Sequence, residues 1–375
     1  MSAIPPHAVH GPRFNLAWSG GAVVDRAEPM LSGDPIARLP VAARLSSLAG
    51  IARLARAEQW WSYKLSPMLA IYYATLLRSG ISVAEAGWTG LLLLAGIGAC
   101  AAYVSLSNDL ADRRDDRIAG KPNRLEGKSP PAVALALAVP LALGAAVAWC
   151  WRSDLLALLA FAGSWISFTV YSFEPLRLKT RGIWGIVADA SGAHGFPALL
   201  AALLAFNAAG RAPDLLWCAC AATWSGAFGL RGILWHQLLD AEADRRSATA
   251  TFVQRYGAAA SQKIVGRGLF PIELALLLIL LWLVPGRGSM FALAVYGLYV
   301  VGTMARLEIH PTLVVAVPRY SLLLVAFYVA IWPLALLLDS AWQHPLDTIV
   351  VAVHALLFRR PILELIDTAR RVISR

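Results

Sequence analysis

The sequence predicts an all-α, polytopic membrane protein, a bundle of about nine transmembrane helices. Three observations predict it. Apolar residues make up 58% of the 375 residues and charged residues only 15%, against about 25% charged in a soluble domain. The mean hydropathy is +0.60. Apolar stretches of near-spanning length recur from residue 65 to residue 338, with polar connections between them.

Residues 1–40 mix Pro, Gly and charge. They lack an unbroken apolar core ahead of a small-residue cleavage site, which argues against a signal peptide. Residues 41–60 set Leu and Ile opposite Arg and predict an interfacial amphipathic helix. Spans are expected near 65–80, 86–107, 131–150, 154–173, 184–206, 213–237, 269–284, 288–305 and 319–338. The first is short and needs its flanks to complete a crossing. Pro67 and Pro140 fall inside spans, where neighbouring helices can satisfy the freed backbone groups. Residues 347–358 are apolar but short for a crossing. Beyond Pro361, the residues Ile362, Leu365, Ile366, Ala369, Val372 and Ile373 follow helical spacing and predict a second interfacial helix, whose leaflet the sequence leaves open. The chain thus divides into an N-terminal tail with its interfacial helix (1–60), a transmembrane domain (61–340) and an amphipathic tail (341–375).

The net charge is +10. The Lys and Arg residues lie between apolar runs on a chain too apolar for a soluble nucleic-acid binder. They read as positive-inside loops in contact with anionic membrane lipid, and nucleic acid is not an expected partner. Loop 108–130 holds Arg113, Arg114, Arg117, Lys121, Arg124 and Lys128; loop 174–183 holds Arg177, Lys179 and Arg181; loop 238–268 holds Arg245, Arg246, Arg255, Lys263 and Arg267. The opposite connections hold little more than Arg152, Arg211 and Arg287. The three basic loops and the N-terminus are therefore expected on the cytoplasmic side of a bacterial inner membrane. Cys100, Cys150, Cys218 and Cys220 lie in or beside apolar runs and suggest neither a disulfide framework nor a metal site.

The chemistry is expected in the basic loops. Residues 108–116 read NDLADRRDD, and Asp109, Asp112 and Asp116 share one helix face at i, i+3 and i+7. Clustered carboxylates repel one another unless a cation sits among them, and oxygen-only ligands favour Mg²⁺ completed by substrate phosphates. A solvated loop of mixed charge is the alternative. Against it stands a second acidic pair after the sixth span: residues 236–244 read HQLLDAEAD, with Asp240 and Asp244 at i, i+4 and Glu242 turned away. Both clusters fall on the basic side. Lys121 and Arg124 follow the first, Lys179 and Arg181 stand on the middle loop, and Arg245 and Arg246 follow the second. Two carboxylate clusters with interleaved cations suit a diphosphate bridged by Mg²⁺.

NDLADRRDD resembles the N-D-x-x-D-x-x-x-D signature of the UbiA superfamily of intramembrane prenyltransferases. Tyr171 to Gly182, YSFEPLRLKTRG, resembles that family's loop between spans four and five, and HQLLDAEAD stands where its second Asp-rich motif falls. The likeness runs from about Arg56 to Ser340. It implies a bundle around a central apolar chamber, with Mg²⁺ as cofactor and a prenyl diphosphate and an unidentified acceptor as substrates. It implies that Asn108, Asp109, Asp112 and Asp116 hold one Mg²⁺ and that Asp240 and Asp244 hold the other. Lys121, Arg124, Tyr171 and Lys179 would grip the diphosphate, with Arg181 beside them. The metals would stabilise the departing diphosphate as the allylic C–O bond breaks, and the acceptor would capture the carbocation in the chamber.

The second motif departs from the pattern. Many members carry Asn-Asp or further carboxylates where this chain has His236 and Gln237. His236 is then either a substrate-orienting group or a helix-end histidine bonded to a carbonyl. Asp189, His194 and Arg231 lie inside spans, where charge is costly and marks an interior or wet position. They line the acceptor pocket, or else Asp189 and Arg231 form an ion pair that holds the bundle. Glu273 is open to either reading. Most of the 14 Trp residues are expected in interfacial belts. A transporter would need interrupted helices with charge at the midplane, and a CDP-alcohol phosphotransferase would need a D-G-x-x-A-R motif that is absent. A non-catalytic relative is suggested by His236-Gln237 and opposed by the complete first motif.

Overall fold

The computed structural model describes residues 60–286, 288–314 and 320–374. The N-terminal tail, nearly all of the expected 41–60 helix, and the charges Arg287 and Arg375 lie outside the described residues.

The described chain is helical but for one small strand pair. α1 is the π-turn Trp61–Leu65 continued by Ser66–Ser79; α2 is Gly87–Ala111, α3 Arg113–Ala119, α4 Pro130–Cys150 and α5 Leu155–Ser172. α6 runs Ile183–Ala208 and α7 Leu215–Leu239; α8 is Ala241–Arg246, α9 Phe252–Leu283 and α10 Gly288–Leu307. β1 (His310–Thr312) pairs in parallel with β2 (Tyr320–Leu322), His310 opposite Tyr320. α11 is the π-turn Phe327–Ile331 with Trp332–Gln343, α12 is Asp347–Leu357 and α13 Arg359–Ser374.

Six helices, α2, α4, α5, α6, α9 and α10, are long and apolar enough to cross a membrane. The chain is an integral membrane protein, and among the described residues the six long apolar helices do not confirm the nine expected spans. α7 has the length, 25 residues, but Arg231 and several Trp, Gly and Ser residues lower its hydropathy because it packs in the centre. α9 begins well before the expected residue 269, with a break at Gly257, where φ is +79°. The expected ninth span is helical only from Val325 onward. Its first part is β2, followed by Leu324 with φ +70°. Other helices satisfy backbone groups on both sides of the strand pair: Arg231 Nη1 donates to Leu313 O (3.3 Å) and the Leu324 amide donates to Tyr296 Oη (2.6 Å). Outward residues of α4, α5 and α10, such as Leu135, Leu159, Ile166 and Leu298, are exposed, as a lipid-facing surface requires.

Four helices share one local device. In α1, α6, α9 and α11 a π-turn directly precedes a proline at the second position of the following α-helix: Pro67, Pro197, Pro271 and Pro333. Proline offers no N–H and its ring crowds the carbonyl four residues back. Widening the turn accommodates both effects. The device also re-aims side chains, because Lys64 and His194 both sit in such turns three residues before the proline.

The helix ends define two faces. On one, Arg78 ties α1 to the N-cap of α7 through Asp214 (2.7 Å) and to the end of α9 through Leu283 O (3.0 Å). Asp347 accepts from Ser82 Oγ (2.6 Å), Ser340 Oγ and the amides of Val83 (3.0 Å) and Ala84 (2.8 Å). The acidic motifs lie on the other face, at the ends of α2 and α7.

Candidate active site

The first motif bridges a helix break. α2 ends at Ala111, Asp112 takes φ −99° and ψ 5°, and α3 follows. Gly120, at φ +68°, caps α3 and turns the chain back. Lys121 then reaches over to the second motif and donates to Asp240 Oδ2 (2.9 Å). Asn123 holds this return in place. Its Nδ2 donates to Asp109 O (2.7 Å) and Asp116 Oδ2 (2.8 Å), and its Oδ1 accepts from the Leu125 amide (3.0 Å).

The middle loop supplies cations. Lys179 Nζ donates to Asp112 Oδ1, and Arg177 Nη2 donates to Asp115 (2.7 Å) and Asp112 (3.3 Å). Burial opposes the charge on Arg177, but Asp115 and then Asp112 outweigh it and hold the guanidinium proton more firmly than usual. Lys179 is nearly buried because α6 packs against its backbone. A Cβ on Gly185 would come within 2.7 Å of Leu178 O.

From α7 and α8 come Asp240 and Asp244. Thr251 Oγ1 donates to Asp244 Oδ2 (3.2 Å), and Gln237 Oε1 accepts from the Val253 amide (3.2 Å). Burial pushes the Asp244 carboxyl above its ordinary range, and Asp240 beside it adds to the effect. Lys121, Thr251 and Lys179 pull the other way without cancelling it.

These segments enclose a cavity of about 150 Å³, lined by Asp112, Asp115, Asp116, Lys121, Tyr171, Lys179, Ile233, His236, Gln237, Asp240, Asp244 and the 247–251 turn. The two motifs, 124 residues apart between Asp116 and Asp240, thus face each other across one space. Five carboxylates line it against two ammonium groups, which leaves the cavity strongly negative. Among the described residues no cluster of three His, Cys, Asp or Glu side chains is preformed around a metal position. The donor set is nonetheless that of a hard cation: carboxylate oxygens, with Lys121 and Lys179 already acting as cations between them.

The structure sorts the residues read from sequence. Asp112, Asp116, Asp240, Asp244, Lys121, Lys179, Tyr171 and His236 all line the cavity. Asn108 accepts a hydrogen bond from Ser172 Oγ. Asp109 is 1% exposed and paired with Arg124 (2.6 Å), which also donates to Ser105 O (3.0 Å), so this pair braces the motif from behind. Arg181 points to Pro175 O (2.7 Å). Asp115, Arg177, Asn123 and the Ser247–Thr251 turn went unread. Asp115 and Arg177 were legible only as charges without a geometry.

Beneath the cavity lies a polar layer that enters from three helices. Lys64 sits with its Nζ 5.9 Å from the Phe168 ring centre, and it has electrostatic contact with Asp189, His194 and His236. His194 packs on Phe228 at 5.2 Å, and a Cβ on Gly229 would clash with its ring at 2.7 Å. Arg231 belongs elsewhere. The alternative of an Asp189–Arg231 pair is not what forms, because Arg231 makes a two-pronged bond to Glu273 (2.8 and 2.6 Å), to which Tyr328 also donates (2.8 Å). Arg231 and Glu273 are almost wholly buried, and Phe228 and Phe270 lie 5.6 and 5.7 Å from the guanidinium carbon. The pair joins α7, α9 and α11 and holds the irregular segment at Leu313.

The profile of the UbiA prenyltransferase family matches residues 65–310, more than half of the chain and both acidic motifs. The chain belongs to this family. Family members are prenyltransferases, and the helical bundle agrees with solved folds. A UbiA homolog from Archaeoglobus fulgidus bound to GPP and Mg²⁺ is similar with a TM-score of 0.52 and 18% identity, over 80% of this chain and 99% of that one. The homolog bound to Cd²⁺ has a TM-score of 0.50 and 17% identity, over 79% and 98%. At such identities the likeness is one of fold. No curated protein matches the sequence.

Proposed function

We propose that this UbiA-family chain transfers a prenyl group from a prenyl diphosphate to an acceptor held within the membrane, at a site open to the cytoplasmic side of a bacterial inner membrane. One observation carries the proposal: two acidic motifs face each other over a single cavity, bridged by Lys121 on Asp240. The similar archaeal homolog binds GPP and Mg²⁺, and the oxygen-rich donor set here suits the same pair.

Asp112, Asp116, Asp240 and Asp244 would hold Mg²⁺, with Asn108 and Asp109 supporting the first motif. Mg²⁺, when bound, supplies charge stabilisation to the leaving diphosphate. Lys121 and Lys179 share carboxylates in the free protein and turn to the diphosphate oxygens when substrate enters. Tyr171, in the cavity wall, would help keep water from the allylic carbon. Lys64, Asp189, His194 and His236 lie on the interior side, where an acceptor would approach. The three loops that carry Arg and Lys support a cytoplasmic site.

The test is thermal stability of the purified protein with geranylgeranyl diphosphate, with Mg²⁺ or with EDTA. Stabilisation that needs both ligand and metal is expected. A folded protein unaffected by prenyl diphosphates of any chain length would overturn the assignment.

A further inference from the structure

The C-terminal 28 described residues go beyond the expected spans, and their contacts fix where they run. Asp347 opens α12 on the face opposite the motifs, tied to Ser82, Val83 and Ala84 in the α1–α2 connection. Two turns further along, His354 Nδ1 meets Tyr73 Oη at 3.2 Å. At its end, Trp61 Nε1 donates to Leu357 O (3.0 Å), and Phe358 stacks on Trp61 at 6.1 Å. The partners on α1 therefore descend from the 82–84 turn through Tyr73 to Trp61, the end of α1 on the motif face. α12 runs antiparallel to α1 through the depth of the bundle.

An 11-residue helix is only about 16 Å long at 1.5 Å per residue, well short of a bilayer core of about 30 Å. The shortfall is met at the start. Tyr72 Oη donates to Ala86 O (2.8 Å), so the α1–α2 connection folds back beside a residue seven positions before the end of α1. That recesses the connection by roughly 10 Å. α12 starts from this recessed floor and needs only the remaining depth.

α13 then lies along the end of α10. A Cβ on Gly302 would sit 2.7 Å from Val372 Cγ1, and Thr368 hydrogen-bonds Tyr299. Gly302 is five residues before the end of α10, a depth of roughly 8 Å, the level at which interfacial helices rest. Its outer surface alternates exposed Leu363, Ile366 and Ile373 with exposed Arg359, Arg360, Arg370 and Arg371. Glu364 and Asp367 are the acids among them, paired with Arg360 (3.2 Å) and Arg370 (3.9 Å). Apolar side chains for acyl tails and surplus positive charge for headgroups together fit one occupant, an anionic lipid leaflet.

We propose that α12 returns the chain to the motif face and that α13 binds anionic lipid in the leaflet on that face. The basic tail and the basic loops then share one side, as the positive-inside bias favours.

Two readouts test this in the full-length protein. In a Cys150→Ser background, a Ser374→Cys variant is expected to react with a membrane-impermeant maleimide in inverted vesicles and not in spheroplasts. A Ser153→Cys variant, on the opposite face, is expected to show the reverse. Reaction of Ser374→Cys in spheroplasts would overturn the topology. For lipid, thermal midpoints are compared in nanodiscs of phosphatidylcholine with and without phosphatidylglycerol. The wild type is expected to gain several degrees in the anionic discs. A fourfold Arg→Gln variant at 359, 360, 370 and 371 is expected to lose most of that gain while matching the wild type in neutral discs. If that variant does not assemble, Arg370→Gln with Arg371→Gln carries the same comparison. An undiminished gain would overturn the lipid assignment. So would a change in the mass of the neutral-disc particle, which would place a second copy on α13.

Discussion

The two faces of the bundle use the same chemical groups to different ends. On the face away from the motifs, Asp347 is buried and meets two hydroxyls and two backbone amides, while Asp214 caps α7 and pairs with Arg78. Each of these carboxylates takes at least one donor from the backbone, which cannot leave. On the motif face the carboxylates are matched by long cationic side chains, Lys121, Lys179 and Arg177, and they surround open space. A carboxylate satisfied by backbone fixes a structure. One satisfied by a lysine beside a cavity can exchange that lysine for another cation or offer it to an anion. Arg231 and Glu273 belong with the first kind despite their place near the site, since neither faces the cavity.

Substitutions should separate the two kinds. Asp112→Ala or Asp240→Ala should lower prenyl transfer by at least about a hundredfold, the scale of losing one preorganised electrostatic group, with the thermal midpoint nearly unchanged. Retained turnover in either would erase the distinction between the faces. Arg231→Ala should act the other way, costing about 3–5 kcal/mol because Glu273 is left as an unpaired buried charge. Denaturation in detergent would report it, and any molecules still folded should keep their turnover. Asp347→Ala should cost about 3 kcal/mol by orphaning buried donors, again without a change in turnover per folded molecule.

The smallest effect concerns pH. Asp244 titrates above the usual carboxylate range because burial disfavours its charge. The folded protein therefore holds a proton on this carboxyl more tightly than the unfolded chain does, and at low pH that proton competes with a metal ion. Apparent Mg²⁺ affinity should fall as pH drops through that raised value, by up to about tenfold per unit beneath it. Asp244→Asn should bind more weakly at pH 7 but lose this part of the slope. Isothermal titration across pH with a prenyl diphosphate present measures both.

The membrane class, most span positions, the two acidic motifs and their shared side were legible because apolar length, charge bias and helical spacing are local properties. Asp112, Asp116, Asp240 and Asp244 could be named for that reason, and the structure brings them to one cavity. Contacts between distant segments were not legible. The Asp109 carboxyl has the same spacing as its neighbours, yet Arg124 takes it out of the cavity. Arg231 and Asp189 looked like a pair, yet Glu273, in a span of its own, supplies the partner. The 319–338 stretch is apolar enough for a helix, but β1 pairs with its first residues and Tyr296 accepts from the Leu324 amide, so a strand forms there. Lys64 carried a faint signal, three residues before Pro67 as His194 is before Pro197; only the widened turns show where both side chains go.

By itself the sequence determined what each segment is, since burial in lipid and the spacing of charges act along a single helix. Which carboxylate meets a lysine, which meets an arginine and which meets backbone was decided only in the tertiary structure. A buried charge takes the partner that packing brings within about 3 Å, and packing joins residues that no local pattern relates.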